Sequence, residues 1–215
     1  QQISSGRLGF GASRTMQIAQ RLYQGIEIDG ETIGLITYIR TDGANISKDA
    51  VPLFRDYIKK EYGDEYLPKE PLNYSGKKAK NAQEAHEAIR PTDIIRSPDK
   101  IKKYLSSDQN KLYDLIWSRA LSSQMESAKF DRNTITINSN DDGTICKASG
   151  SVIKFDGFLK VFKDQKKDAS DKILPEVSKG SVNIEKFIDE QHFTQPPARY
   201  SEASLVKKLE ELGIG

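Results

Sequence analysis

Cysteine is nearly absent: Cys146 is the only one in 215 residues. It cannot close an intrachain disulfide or build a cysteine-based zinc site, so a secreted disulfide scaffold is excluded and a reducing compartment fits. No uninterrupted apolar run approaches the length of a membrane span. The N-terminus has no basic-then-apolar signal pattern. Charge of one sign is not in excess either. Lys+Arg 33 against Asp+Glu 31 leaves +2, so a histone-like field is excluded and any nucleic acid must be met by a local patch. There is no Walker-type phosphate loop. No two aspartates stand two positions apart, so a D-x-D magnesium site is missing, and no residue of this chain is expected to bind metal.

What is present suffices for a core, since 36% of the residues are hydrophobic and the chain is well beyond the length that needs staples. Residues 11 to about 124 read mostly as helices and 130 to about 190 mostly as strands, giving an α+β chain. Met16, Ala19, Leu22 and Tyr23 repeat at helical spacing and Gly25 can end that helix. Leu35 to Arg40, β-branched and aromatic, reads as a short strand or extended segment. Val51, Phe54, Tyr57 and Ile58 mark a second helix stopped by Gly63. Pro52 shifts its regular start toward Asp49. Asn81 and Glu84 have capping-box-like spacing before a short helical stretch that Pro91 ends. Ser97-Pro98 starts a helix, and Leu112, Leu115, Ile116 and Leu121 supply a longer one capped near Asp108. Thr134 to Ile137 alternates, Asp142-Gly143 is a hairpin signal, and Thr144 to Phe162 carries β-rich runs. Lys163 to Lys172 is a charged loop, and Ser181 to Ile188 alternates again. After Pro196-Pro197, Ser201 caps a last helix whose Leu205, Leu209 and Leu212 are expected to face inward before Gly213. The chain starts at Gln1 without methionine and stops at Gly215, so it reads as a fragment of something longer.

Three segments carry candidate chemistry: Gly34 to Asp42, Gln83 to Pro91, and Phe193 to Leu205. In an extended segment side chains two apart share a face, so Tyr38 and Arg40 point the same way and Ile39 points opposite. A tyrosine hydroxyl ordinarily titrates near 10 and is a poor nucleophile at neutral pH. A neighbouring guanidinium favours the phenolate and grips a phosphate in bidentate fashion. The pair suits attack on a phosphodiester. On spacing alone, a sheet tyrosine beside a surface arginine is the plainer reading. His86 could hold a phosphate or act as acid or base, with Glu84 and Glu87 raising its pKa if close. The plainer alternative is a surface histidine paired with those carboxylates. Lys77, Lys78 and Lys80 form a solvated basic group able to touch a nucleic-acid backbone.

Taken together, Leu8-Gly9-Phe10 through Gln17-Ile18-Ala19-Gln20-Arg21-Leu22-Tyr23, Leu35 through Asp42, Ala85-His86-Glu87-Ala88-Ile89-Arg90-Pro91, and Phe193 through Gly215 resemble, in order, segments of the bacterial DNA topoisomerase I family, of type IA. The resemblance spans nearly the whole chain. It implies that Tyr38 is the nucleophile, joined to a 5′ phosphate of single-stranded DNA, with Arg40 positioning Tyr38 or stabilising the phosphate. It implies DNA contacts for Arg40, His86, Arg199 and Glu202, and relaxation of negative supercoils without ATP. It also implies Mg2+ bound by an N-terminal Toprim domain that lies outside this chain, none bound by the fragment, and a bacterial, nucleoid-associated place in the cytoplasm. Gly43 stands where serine is common in the family. The expected organisation is 1–124 helical with Tyr38, 125–195 part of a β-rich arch, and 196–215 the first helix of a following domain. Competing readings are topoisomerase III or reverse gyrase of the same class, and a noncatalytic arch or DNA-gate scaffold. A tyrosine recombinase is set aside because its tyrosine follows a His-x-x-Arg motif, whereas Tyr38 precedes His86.

Overall fold

The computed structural model describes residues 1–41, 43–74, 87–139, 142–162, 178–183, 185–186 and 188–214. Six helices are described: α1 (Gln2–Leu8), α2 (Ala12–Gln24), α3 (Ala50–Tyr62), α4 (Pro98–Ile101), α5 (Ser107–Ser122) and α6 (Glu202–Glu211). Two antiparallel hairpins accompany them, β1 (Ile26–Ile28) with β2 (Glu31–Ile33), and β3 (Lys129–Asn138) with β4 (Ile145–Phe155). The α+β reading is correct.

α2 buries Thr15, Ile18, Ala19 and Leu22 at helical spacing. This stripe is rotated from the expected one, leaving Met16 at the core's edge and Tyr23 exposed. α3 begins after Asp49, so Pro52 falls in the first turn, where an N–H has no intrahelical partner to lose. α5 is capped two residues earlier than expected. Ser106 and Gln109 form a reciprocal capping box, while Asp108 pairs with Arg14 of α2 instead. These helices enclose one core built around Leu22, Leu35, Ile36, Phe54, Ile58, Tyr113, Leu121 and Met125. Polar tips on buried aromatics are satisfied. Tyr113 donates to the Arg96 carbonyl at 2.7 Å, and Trp117 Nε1 donates to the Ile94 carbonyl at 3.0 Å. Trp117 also meets the edge of Tyr57 at 5.8 Å between ring centres.

The β1–β2 hairpin was not expected, although Asp29-Gly30 is a hairpin turn signal, and Asp29 has a positive φ there. The β3–β4 hairpin runs from Lys129 opposite Phe155 to Asn138 opposite Ile145, turning at Asp142-Gly143 as expected. Asp142 accepts from the Thr144 backbone N–H and hydroxyl, and those bonds, with one involving Ser139, hold its carboxyl down at about 2. Both faces of this hairpin are largely exposed, and none of its residues joins the core. Its base is fixed. Phe155 packs on Tyr66 at 4.9 Å, and Tyr66 donates to Asp156 at 2.7 Å.

Two expectations need correction. The described residues between 178 and 200 form no strand despite the alternation at Ser181 to Ile188; no described strand lies beside them to supply the ladder that alternation alone cannot. Leu205, Leu209 and Leu212 are exposed, not inward, because α6 meets α1 and α2 through polar contacts and no described residue covers its leucine face. The readings at Asn81, Glu84 and Lys163 to Lys172 fall outside the described residues.

Gly157 follows the hairpin with φ 48°, and a Cβ there would stand 2.5 Å from the Glu126 carbonyl oxygen and 2.7 Å from the Ala128 nitrogen. Gly143 has a similar φ of 72° but open space around it. Gly157→Ala is therefore expected to destabilise by more than Gly143→Ala, whose cost is the left-handed penalty of roughly 1–2 kcal/mol. Denaturant unfolding of the two variants checks the order.

Candidate active site at Tyr38

The site begins where α2 ends. Gly34 approaches the last turn so closely that a Cβ would stand 2.8 Å from the Tyr23 carbonyl oxygen. That closeness lets the Leu35 N–H donate to the Leu22 carbonyl at 2.8 Å, tying the first motif to the helix. From there the backbone runs antiparallel beside residues 87–92. The Thr37 N–H donates to the Arg90 carbonyl at 2.9 Å, the Thr92 N–H to the Leu35 carbonyl at 3.0 Å, and Ile36 bridges Pro91.

Side chains stitch the same two segments. The Thr37 hydroxyl donates to the Ala88 carbonyl at 3.1 Å and accepts from the Arg90 N–H at 3.0 Å. The Thr41 hydroxyl donates to the Glu87 carbonyl at 2.8 Å and accepts from the Gly43 N–H. With Ile36 and Ile39 buried below, Tyr38 and Arg40 are left on the outer face, Tyr38 at 42% exposure. Their two-residue spacing, with Ile39 buried between them, puts both on this face. The Tyr38 ring also meets Tyr23 edge-on, at 5.5 Å between centres and 66° between planes.

Glu87 and Arg90 form the clamp behind this face. Arg90 Nε donates to Glu87 Oε2 at 2.7 Å and its Nη2 to Oε1 at 2.9 Å, a two-pronged pair with both side chains mostly buried. Glu87 Oε2 also accepts from the Ser47 N–H at 3.1 Å, and Arg90 Nη1 donates to the Pro91 carbonyl. Burial by itself would push the Glu87 carboxyl up. The bonds from Arg90 and Ser47, with the Arg90 charge, outweigh it and hold the carboxyl below its ordinary range. In the sequence Thr37, Thr41 and Arg90 carry no sign of this structural role, and Glu87 reads only as a carboxylate beside His86.

His86, Lys77, Lys78 and Lys80 lie outside the described residues. Arg199 is exposed in the extended segment before α6. Glu202, also exposed, accepts the Ala12 N–H on Oε2 at 2.9 Å, at the start of α2.

Several other tyrosines are poorly suited to ionise. Burial pushes Tyr113 and Tyr62 up, and pushes Tyr57 to about 12; the bond to Asp156 raises Tyr66. A groove of about 290 Å³ lies between α3 and residues 93–100, lined by Leu53, Tyr57 and Ile95, and neither Tyr38 nor Arg40 borders it. Among the described residues no three His, Cys, Asp or Glu side chains converge as a metal site would require.

The sequence profile of one family, described as DNA topoisomerase, matches residues 1–215. DNA topoisomerase 1 of Rickettsia felis is 52% identical over 219 aligned residues, covering 100% of this chain and 28% of that protein. DNA topoisomerase 1 of Xylella fastidiosa is 46% identical, covering 100% and 27%. The structure of full-length topoisomerase I from Thermotoga maritima superposes with a TM-score of 0.76 at 36% identity, covering 100% of this chain and 34% of that one. The chain thus spans about a third or less of the length of these relatives.

The Glu87–Arg90 clamp yields a pH signature. Because the Glu87 carboxyl is held low in the folded state, its contribution is full above the ordinary carboxyl range and is lost as pH falls through the folded value. Glu87→Gln is expected to lower stability at neutral pH by roughly 1–3 kcal/mol. The gap from wild type should close as pH drops below about 4. Urea unfolding of both proteins across that pH range measures it.

Proposed function

Because the chain belongs to the bacterial type IA DNA topoisomerases, we propose that Tyr38 is the nucleophile that opens single-stranded DNA. The observation that carries this reading is the exposed Tyr38–Arg40 face on a backbone pinned to α2 and to residues 87–92. A nucleophile must be reachable and held in one place, and this tyrosine is both. Its phenolic oxygen forms a bond to phosphorus, the phenol gives up its proton, and the 3′ oxygen leaves as a hydroxyl. The DNA end stays on Tyr38 as a 5′-phosphotyrosyl ester.

Arg40 shares Tyr38's face and its guanidinium suits the charge that gathers on the phosphate as the bond forms. His86, next to the clamped Glu87, contacts a phosphate near the break. Arg199 takes a phosphate farther along the strand, whereas Glu202, an acceptor without a donor, acts on DNA through the helix it contacts and not by the direct contact that the resemblance implies. The free 3′ hydroxyl reverses the reaction. Since the ester conserves much of the energy of the broken bond, resealing needs no ATP, and passage of a second strand between the two steps relaxes negative supercoils.

The working enzyme in this reading is larger than these 215 residues. Residues 1–124 carry the tyrosine, 125–195 belong to a β-rich arch, and 196–215 open a following domain. Magnesium would be held by acidic residues of a Toprim domain outside this chain. The substrate places the protein with cytoplasmic, nucleoid DNA.

Covalent capture tests the assignment. The chain is mixed with end-labelled single-stranded DNA and magnesium, with and without the N-terminal part of the protein added separately, then denatured. The expected result is a DNA adduct only when the added part is present, and none with Tyr38→Phe. The 215 residues alone should leave supercoiled plasmid unrelaxed. An adduct that survives in Tyr38→Phe would remove Tyr38 as nucleophile.

A further inference from the structure

α2, the helix whose last turn backs Tyr38, has an N-terminus that its own sequence does not finish. Its cap residue is Gly11, which has no side chain to accept an orphan N–H, and its first turn holds no acidic residue. Arg14 in that turn is the wrong charge for the positive end of a helix.

Two distant carboxylates make up the deficit. Asp108 of α5 pairs with Arg14. Glu202 of α6, separated from Ala12 by 190 positions, accepts the Ala12 N–H on Oε2 at 2.9 Å. A second polar contact, Gln2 Nε2 to Glu210 Oε2 at 2.8 Å, holds α6 against α1. A Cβ built on Gly11 would stand 3.1 Å from Glu202 Oε2, so the bare glycine leaves the space that the foreign carboxylate occupies.

We propose that Glu202 is a positioning residue for Tyr38. It caps α2 from α6, and α2 carries that support to the Tyr23 ring lying against Tyr38. Its effect on DNA is indirect, through the order of the helix. This rests on the assignment of Tyr38 as nucleophile.

The distinguishing feature is that a local cap should replace the distant one. Gly11 has φ −63° and ψ 163°, the extended conformation that serine and aspartate adopt when they cap a helix. In the full-length protein, Glu202→Ala is expected to slow formation of the Tyr38–DNA adduct by up to about fivefold, the equivalent of one cap of about 1 kcal/mol. Affinity for single-stranded DNA should not change. Adding Gly11→Ser to that variant is expected to restore the rate. Gly11→Ser alone is expected to lower it slightly, because the new Cβ crowds Glu202. The same substitution then helps in one background and hurts in the other.

Hydrogen exchange at Ala12 is followed in parallel. It should quicken in Glu202→Ala and slow again in the double variant. Glu202→Gln, which keeps an accepting oxygen, should remain close to wild type in adduct rate. A wild-type adduct rate in Glu202→Ala would overturn the proposal. So would a rate that stays low in the double variant while Ala12 is protected again, or a loss of DNA affinity that Gly11→Ser cannot repair. If Tyr38→Phe still forms adduct, the nucleophile assignment fails instead, and the exchange data still decide whether Glu202 caps α2.

Discussion

The antiparallel pairing of residues 34–41 with 87–92 is the constraint on which the rest of the site depends. Each segment alone is too short and irregular to hold a conformation in water. Joined by backbone bonds at Thr37 and Thr92 and by two threonine hydroxyls, with the second segment braced by its own Glu87–Arg90 fork, they form one ledge. The ledge sits on the core through Leu35, Ile36 and Ile39. Rigidity and exposure usually oppose each other, since exposed segments make few contacts. Here the backbone pairing is made on the inner side and edge, which leaves Tyr38 and Arg40 exposed on the outer side.

Much of this was legible in the sequence. The shared outer face of Tyr38 and Arg40, with Ile39 buried opposite, was readable from their two-residue spacing, although Leu35 and Ile36 are both buried and the alternation does not extend back to them. The helix stops at Gly25 and Gly63 and the turn at Asp142-Gly143 were readable for local reasons. Less visible was the partnership of the first motif with residues 87–92, because it joins positions some fifty residues apart and no local pattern encodes it. The role of Arg90 shows the same limit. An arginine in a polar motif reads as a surface charge until its partner Glu87 is seen to be buried with it.

Pattern also misled where it lacked a counterpart. Leucines spaced along α6 imply a buried face, yet hydrophobic spacing only says that a face wants covering, and no described residue covers this one. The same holds for the β3–β4 hairpin, which pairs along ten residues of β3 yet contributes nothing to the core. Among the described residues no third strand joins it. The α+β chain is thus divided physically into a packed helical part and a hairpin held mainly at its base by Tyr66 and Asp156.

That division gives the chain an uneven optical character. Its one tryptophan, Trp117, lies in the helical core between Tyr57 and the Ile94 carbonyl. Indole emission therefore senses melting of the helices that carry the ledge, and is silent to fraying of the distant hairpin. A single fluorescence transition in this chain would be a thermometer for one half of the molecule, and only circular dichroism in the strand region would register the other.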